Sequence, residues 1–85
     1  MRVQASHGSV AFDGHVVEVV GGAHQRLSRV PVASILDVVR QRDDDGNEVV
    51  LFFARTGSAS TRFPAEQAAE LDALVAEVNA ARAGG

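Results

Sequence analysis

The sequence predicts an α+β fold in which about six short antiparallel strands precede one C-terminal helix. The 85 residues suffice for a single small domain, which we expect to span residues 1–85. Stretches of β-branched and apolar residues, separated by glycine-containing turns, fill residues 3–63 and are typical of strands. From Pro64 the apolar residues instead recur with the period of an amphipathic helix. Strand-like segments followed by one amphipathic helical segment predict the α+β class.

Composition excludes several classes of function. With 46% hydrophobic and 22% charged residues, the chain has the composition of a folded globular protein. Its lack of cysteine excludes thiol catalysis and cysteine-ligated zinc, and its lack of lysine excludes Schiff-base chemistry. The formal net charge of -3 leaves only a local patch for contacts with nucleic acid or anionic lipid. Without an apolar run of about 20 residues or a signal-peptide pattern, the sequence predicts a cytoplasmic protein.

The first predicted element is a β-hairpin with Asp13-Gly14 at its turn. This dipeptide favours a tight two-residue turn, which would place Phe12 opposite His15 and Val10 opposite Val17. Directly opposed side chains share a face of a sheet. The apolar side chains expected together on one face are Val10, Phe12, Val17 and Val19.

The middle of the chain predicts further strands separated by polar turns. Pro31 lacks an N–H, so the strand that contains it lies at a sheet edge or ends there. The polar, glycine-containing residues 43–47 predict a loop between two strands. The strands predicted after the hairpin are residues 27–32, 35–42, 48–55 and 61–63, with a turn at 56–60.

A helix is predicted over residues 64–82. Proline is favoured at the first helical position, and Gly84-Gly85 ends the pattern. One apolar stripe at positions i, i+3, i+4 and i+7 is expected to pack on the sheet. Its members are Leu71, Leu74, Val75 and Val78.

The loop at residues 43–47 partly matches a calcium-binding loop. Asp43, Asp45 and Asn47 match its first three ligand positions. However, Glu48 stands where that loop needs glycine, and Ala54 stands where it needs glutamate. We therefore expect a solvated hairpin loop and no calcium site.

The other candidate chemical groups do not form a recognisable site either. His7 and His15 fall on opposite faces of the predicted hairpin, and His24 lies in a glycine-containing loop, so convergent metal ligands are not expected. The serines and threonines of residues 56–61 lack a nucleophile-elbow motif and a predictably placed base. The sequence therefore predicts no metal, no cofactor and no enzymatic activity.

Arginines in the middle of the chain offer a possible anion site. Arg26, Arg29, Arg40 and Arg42 lie on predicted strands or at their ends, and arginine suits bidentate contacts with phosphate. Aromatic residues do not alternate with them, which disfavours nucleic acid as the partner. A lipid headgroup at a membrane surface is the other source of phosphate that this pattern allows.

The run at residues 49–54 is apolar on both faces of its predicted strand. A strand with one solvent-exposed face should alternate, so a second surface must cover this one. We expect Val50 and Phe52 to face away from the core, with Val39 beside them, and to form an interface with a partner. In this arrangement Val49, Leu51 and Phe53 point to the core. The alternative is that the C-terminal helix covers the face of Val50 and Phe52 while the interior of the barrel takes the other face.

Several of these residues occur in an order that resembles a known family. The relevant positions are Gly8, Val10, Phe12, Asp13, Gly14 and Val17, then Arg29, Val30, Pro31, Val32, Ala33, Ser34, Ile35 and Val38, then Leu51, Phe53 and Phe63. This order is similar to that of the bacterial pleckstrin-homology-like (PH-like) domains, in particular their short actinobacterial type of unknown function. The segment "arginine, aliphatic, proline, aliphatic" followed by Ala-Ser-Ile is its most specific part.

The resemblance implies a bent antiparallel sheet or partly open barrel, capped at one end by the C-terminal helix. It also implies a non-enzymatic interaction or scaffold module that binds a protein partner or forms a homo-oligomer. The alternative function is binding of an anionic ligand through the middle arginines. The chain departs from lipid-binding members of the family because only Asp13-Gly14 stands where they have a lysine-rich loop.

Overall fold

A computed structural model describes residues 1–6, 8–21 and 26–84. The described part of the chain contains seven strands, two short 3-10 turns and one α-helix. The strands are β1 (Arg2–Ala5), β2 (Gly8–Phe12), β3 (Val16–Gly21), β4 (Arg26–Pro31), β5 (Ile35–Arg42), β6 (Glu48–Ala54) and β7 (Gly57–Phe63). The helix is α1 (Ala68–Gly84), and the 3-10 turns are Val32–Ser34 and Ala65–Gln67.

The strands form two antiparallel sheets, one in the order β1-β2-β3-β4 and one in the order β5-β6-β7. The α+β class is confirmed, and no hydrogen-bonded ladder between described strands closes the two sheets into a barrel. The described residues form seven strands rather than the expected six, because residues 2–5 pair with β2 as a strand of their own. The last strand begins at Gly57, so the turn before it is shorter than the predicted turn at 56–60.

The hairpin between β2 and β3 has a longer turn than the sequence predicted. Phe12 pairs with Val17 rather than with His15. Asp13 stabilises the longer turn, since its Oδ1 accepts the backbone N–H groups of His15 and Val16, each at 2.8 Å. A change of register by two residues keeps every side chain on its face. The apolar set predicted to share one face is accordingly buried: Val10, Phe12, Val17 and Val19.

The core lies between the two sheets and α1. On the helix, Leu71, Leu74 and Val78 are fully buried, whereas Val75 packs at the margin of the core. The α-helix starts at Ala68, after a 3-10 turn, and therefore later than predicted. None of the helices in the described part of the chain has both the length and the apolarity needed to cross a bilayer. The remaining buried apolar residues are Val3, Val10, Phe12, Val17, Val19, Val30, Ile35, Val50, Phe52, Ala59 and Phe63.

The two sheets approach each other closely where Gly8 and Gly21 lie against Thr61 of β7. A Cβ on Gly21 would lie 2.8 Å from Thr61 Oγ1 and 3.1 Å from the backbone oxygen of Ser60. A Cβ on Gly8 would overlap the same hydroxyl group and lie 2.5 Å from the carbonyl oxygen of Val20. Glycine is needed at both positions because no larger residue leaves room for β7.

A β-bulge on β5 determines which of its side chains face outward. Ile35 pairs with Ala54 and Asp37 pairs with Phe53, so Leu36 is the extra residue on the β5 side. In a regular strand Ile35 and Asp37 would share a face, since side chains two residues apart point the same way. The bulge removes this constraint, and Ile35 is buried while Asp37 is exposed.

Candidate functional site

The orientation of β6 is the opposite of the predicted one. Val50 and Phe52 are both 0% exposed and belong to the core, so their predicted role in a surface interface is wrong. Val39, which was expected beside them, pairs with Leu51 and lies on the other face of the sheet. Both alternating sets of β6 are apolar, and the strand pattern alone therefore did not distinguish the inner set from the outer one.

The outer face of the three-stranded sheet carries a contiguous apolar surface. Val39 lies directly beside Leu51, and Phe53 and Val49 flank Leu51 along β6. Phe53 is 40% exposed, whereas the other three side chains are half-buried. We call Val39, Val49, Leu51 and Phe53 the outer patch. An apolar surface on this strand was predicted, but it lies on the opposite face of β6. Val49, Leu51 and Phe53 form it in place of Val50 and Phe52.

Polar residues of β7 border one side of the outer patch. Ser58 pairs with Phe53, Ser60 pairs with Leu51, and Arg62 pairs with Val49. The apolar surface is therefore two strands wide, on β5 and β6, and ends at β7. Serine side chains here tolerate solvent and add little bulk, which leaves the side of Phe53 accessible.

Charged groups lie at both ends of the outer patch. Residues 43–47, which we call the acidic loop, follow β5, and both Asp44 and Asp45 in this loop are exposed. At the other end of β6, Arg55 follows the strand and is also exposed. Exposed Asp37 pairs with Phe53 at the Arg55 end, and exposed Arg62 pairs with Val49 at the acidic end, so both ends of this sheet face carry charges of both signs.

Asp43 holds the acidic loop in shape. Its carboxylate accepts the backbone N–H groups of Asn47 at 2.9 Å and Asp45 at 3.0 Å, and Arg62 lies 3.7 Å away. The backbone hydrogen bond from Asn47 is the main cause that lowers the pKa of Asp43 below its usual value. The carboxylate is therefore engaged within its own loop.

No group of three or more histidine or acidic side chains comes together as a metal centre within residues 1–6, 8–21 and 26–84. His15 is exposed in the turn between β2 and β3. His7 and His24, the other two histidines considered as ligands, lie outside the described residues.

The four arginines considered as phosphate contacts are divided between the two sheets. Arg26 and Arg29 lie on β4, whereas Arg40 and Arg42 lie on β5. Arg29 pairs with Glu18 on the neighbouring strand at 3.0 Å. Since each of the two β5 arginines also has a carboxylate partner, this geometry does not favour a shared anion site.

Sequence reasoning missed a polar cluster on the inner side of β5. Glu48 is only 8% exposed, and its carboxylate lies 3.1 Å from Arg42 Nη2 and 3.7 Å from Arg40 Nη2. Arg40 also forms an ion pair with Asp72 of α1, while its Nε is buried without a hydrogen-bond partner. The placement of Arg42 and Glu48 on either side of a predicted loop was the available signal, because a hairpin brings such residues opposite each other.

A groove of about 540 Å³ runs between the end of α1 and the 3-10 turn before β5. Its charged member, Arg82, already donates hydrogen bonds to the carbonyl oxygen of Leu36 and to the side chain of Asn79. The lining offers no carboxylate or hydroxyl group that could act as an acid, base or nucleophile. The lining residues are Val32, Ala33, Ile35, Asn79, Ala81, Arg82 and Ala83.

Comparison with known proteins returns no match. Neither models of protein families, nor curated proteins, nor solved structures are significantly similar to this chain.

Proposed function

We propose that this protein is a non-enzymatic interaction module with a PH-like fold, and that it binds a protein through the outer patch. The exposure of Phe53, 40% of whose surface is open to solvent, carries the proposal. It lies next to Leu51 on a sheet face where polar residues would be expected if water were the only neighbour. Contiguous exposed apolar surface of this kind usually marks an interaction site.

The composition of the outer patch supports binding of a protein that covers its apolar side chains. Its four aliphatic and aromatic side chains cannot donate or accept a proton, and Phe53 supplies the large apolar area that is common at the centre of interfaces. The polar serines of β7 and the charged ends of the sheet surround it. A hydrophobic centre with a polar margin is the usual composition of a protein interface.

The arrangement of the elements supports the PH-like interpretation. Two antiparallel sheets of four and three strands precede a C-terminal helix that packs its apolar side into the core. Pro31 ends β4, and the following residues form the turn that leads into the second sheet. The succession of antiparallel strands and a C-terminal helix supports this interpretation.

The test compares capture of proteins from the native lysate by the wild type and two variants. We expect Phe53→Asp to lose the partner, because a carboxylate would be buried at the centre of the interface. Leu27→Asp is the control, since Leu27 is 54% exposed but lies on β4 in the other sheet. Circular dichroism should show both variants folded. Retention of the same partner by Phe53→Asp would contradict the proposal.

A further inference from the structure

We infer that the free edge of β4 binds an acidic, extended segment of another protein as an added antiparallel strand. This site is separate from the outer patch, because β4 is an edge strand of the four-stranded sheet. Main-chain hydrogen bonds hold such a segment, and the side chains of Leu27 and Arg29 select its sequence. Addition of a strand to a free sheet edge is a common way to bind a peptide.

Alternation along β4 determines which of its backbone groups point out of the sheet. In an antiparallel pair, residues that exchange hydrogen bonds with the neighbouring strand alternate with residues whose N–H and C=O groups point away from it. Val32 donates its N–H to the carbonyl oxygen of His15 at 2.8 Å, which fixes this alternation. Val30 therefore bonds to β3, whereas Leu27 and Arg29 direct their N–H and C=O groups outward.

Other groups of the chain occupy part of each of the other three sheet edges. At β1, Gln67 Nε2 donates a hydrogen bond to the carbonyl oxygen of Gln4 at 2.8 Å. At β5, Asp37 Oδ1 accepts the N–H of the next residue at 2.9 Å. At β7, the backbone oxygen of Ser60 lies 3.1 Å from where a Cβ on Gly21 would stand, so this edge lies against the first sheet. Proteins commonly cover exposed edges in such ways.

The outward backbone groups of β4 have no such cover among the described residues. No hydrogen bond between described residues uses the outward N–H and C=O groups of Leu27 and Arg29. Pro31, the next outward residue, has no N–H, and its carbonyl oxygen accepts the Ser34 hydroxyl at 2.8 Å. The two N–H and two C=O groups of Leu27 and Arg29 therefore remain for a partner strand.

The exposed side chains of β4 define the sequence of the partner segment. Residues directly opposite each other in neighbouring strands share a face of the sheet. Leu27 is 54% exposed, so an apolar residue opposite it would cover this side chain. The Arg29 side chain is 69% exposed although it pairs with Glu18, and a second carboxylate opposite it is favourable. An antiparallel segment therefore carries an acidic residue and, two positions later, an apolar residue.

A small groove beside β4 receives the side chain between these two. That residue lies opposite Ser28, which shares the inner face of the sheet with buried Val19. The groove there has a volume of about 160 Å³, and the hairpin between β6 and β7 forms its other wall. So small a space favours alanine or serine at the middle position. The lining residues in this hairpin are Ala54, Thr56, Gly57, Ser58 and Ala59.

The first test uses an acetylated and amidated peptide, Thr-Thr-Glu-Ala-Val-Thr-Thr, as the probe. In the free protein, we expect the amide hydrogens of Leu27 and Arg29 to exchange faster than those of Ser28 and Val30. Addition of about 1 mM peptide should slow the two outward amides about tenfold, because a dissociation constant on the order of 0.1 mM leaves roughly one-tenth of the protein free. NMR measures each amide separately.

Two results of this experiment would overturn the inference. The first is unchanged exchange at Leu27 and Arg29 when the peptide is added. The second is exchange at these amides that slows as the concentration of the protein alone is raised, since this would assign the edge of β4 to a second copy of the chain.

N-methylated peptides test the pairing without altering the protein. In the antiparallel register, the N–H groups of the peptide's glutamate and valine point to β4, whereas that of its alanine points away. N-methylation of the glutamate or of the valine should therefore weaken binding about tenfold, through loss of a hydrogen bond and a steric clash. N-methylation of the alanine is the control and should leave the dissociation constant unchanged. Equal effects at all three positions would contradict strand addition.

Arg29→Glu tests the selection of an acidic segment. This variant should bind the probe about fivefold more weakly and should recover the affinity when lysine replaces glutamate in the peptide, because opposite charges then again lie across from each other. Phe53→Asp, in the other sheet, should bind the probe as the wild type does, so this site and the outer patch are tested independently. An Arg29→Glu protein that still prefers the glutamate peptide would overturn the recognition of an acidic segment.

Discussion

Arg40 on β5 and Asp72 on α1 form an ion pair that links the helix to the edge of the three-stranded sheet. The guanidinium group of Arg40 also faces Glu48, which in turn pairs with Arg42. The Arg40 side chain is 22% exposed and that of Glu48 is 10% exposed, whereas Asp72 is largely in solvent. The contribution of this cluster to stability is therefore expected to lie mainly at Glu48.

The first prediction compares two carboxylates of this cluster. Asp72→Ala should lower the free energy of unfolding by less than about 1 kcal/mol, because solvent screens its ion pair. Glu48→Ala should cost about 2–3 kcal/mol, since it removes a carboxylate that is 10% exposed from beside Arg40, whose side chain is only 22% exposed. Urea denaturation measures both, with exposed Glu77→Ala as the control. A larger loss for Asp72→Ala than for Glu48→Ala would contradict this account.

The second prediction concerns the close approach of the two sheets. Gly21→Ala should destabilise the domain by about 1–3 kcal/mol, because the added methyl group would be forced against Thr61 and the backbone of β7. Gly84→Ala should be neutral or slightly stabilising, since nothing lies within 4 Å of a Cβ at that position. Thermal melts of the two variants provide the comparison, and equal melting temperatures would rule out the steric explanation.

The third prediction tests the orientation of β6. Phe52→Glu should unfold the domain, because it would bury an unpaired carboxylate in the core. Phe53→Glu should remain folded, because its side chain already lies partly in solvent. Near-UV and far-UV circular dichroism distinguish the two outcomes. A folded Phe52→Glu protein would mean that β6 presents the other face to the core.

The fourth prediction concerns the packing of α1. Leu74 is 0% exposed, and its truncation to alanine should cost about 2–4 kcal/mol through lost burial and the cavity that remains. This is a large fraction of the stability of so small a domain. Ala73→Ser on the exposed side of α1 is the control and should change stability by less than about 0.5 kcal/mol. A similarly small loss for Leu74→Ala would show that the helix does not dock through this residue.

The fifth prediction concerns the effect of pH on the β2–β3 turn. The backbone N–H groups of Val16 and then His15 lower the pKa of Asp13 below its usual value of 3.8. At acid pH the unfolded chain therefore binds a proton more readily than the folded chain does, and stability falls as pH decreases through this range. The stabilisation is fully present above the usual pKa. Urea denaturation between pH 6 and pH 3 should show a smaller acid-induced loss for Asp13→Asn than for the wild type, and equal losses would exclude Asp13 as a source.

Local sequence signals predicted most of the individual elements. The β5 strand begins and ends where the pattern placed it, and Pro31 ends the edge strand β4 as expected for a residue without an N–H. The helical stripe Leu71, Leu74 and Val78 is buried as its spacing predicted. These features depend on the chemistry of single residues or on periods of a few residues, and they are visible without knowledge of the rest of the fold.

The candidate surface required the tertiary structure. The sequence by itself determined that residues 49–54 form a strand that is apolar on both faces, and that one of its two alternating sets must be covered by something other than the core. It did not determine which set, since a displacement by one residue exchanges the faces without changing the pattern. Only the tertiary structure decided this, because Phe52 enters the space between the sheets, while Phe53 stays beside Asp37 on the outer face. The physical reason is that local periodicity is a property of one strand, whereas burial depends on where the other sheet and the helix pack.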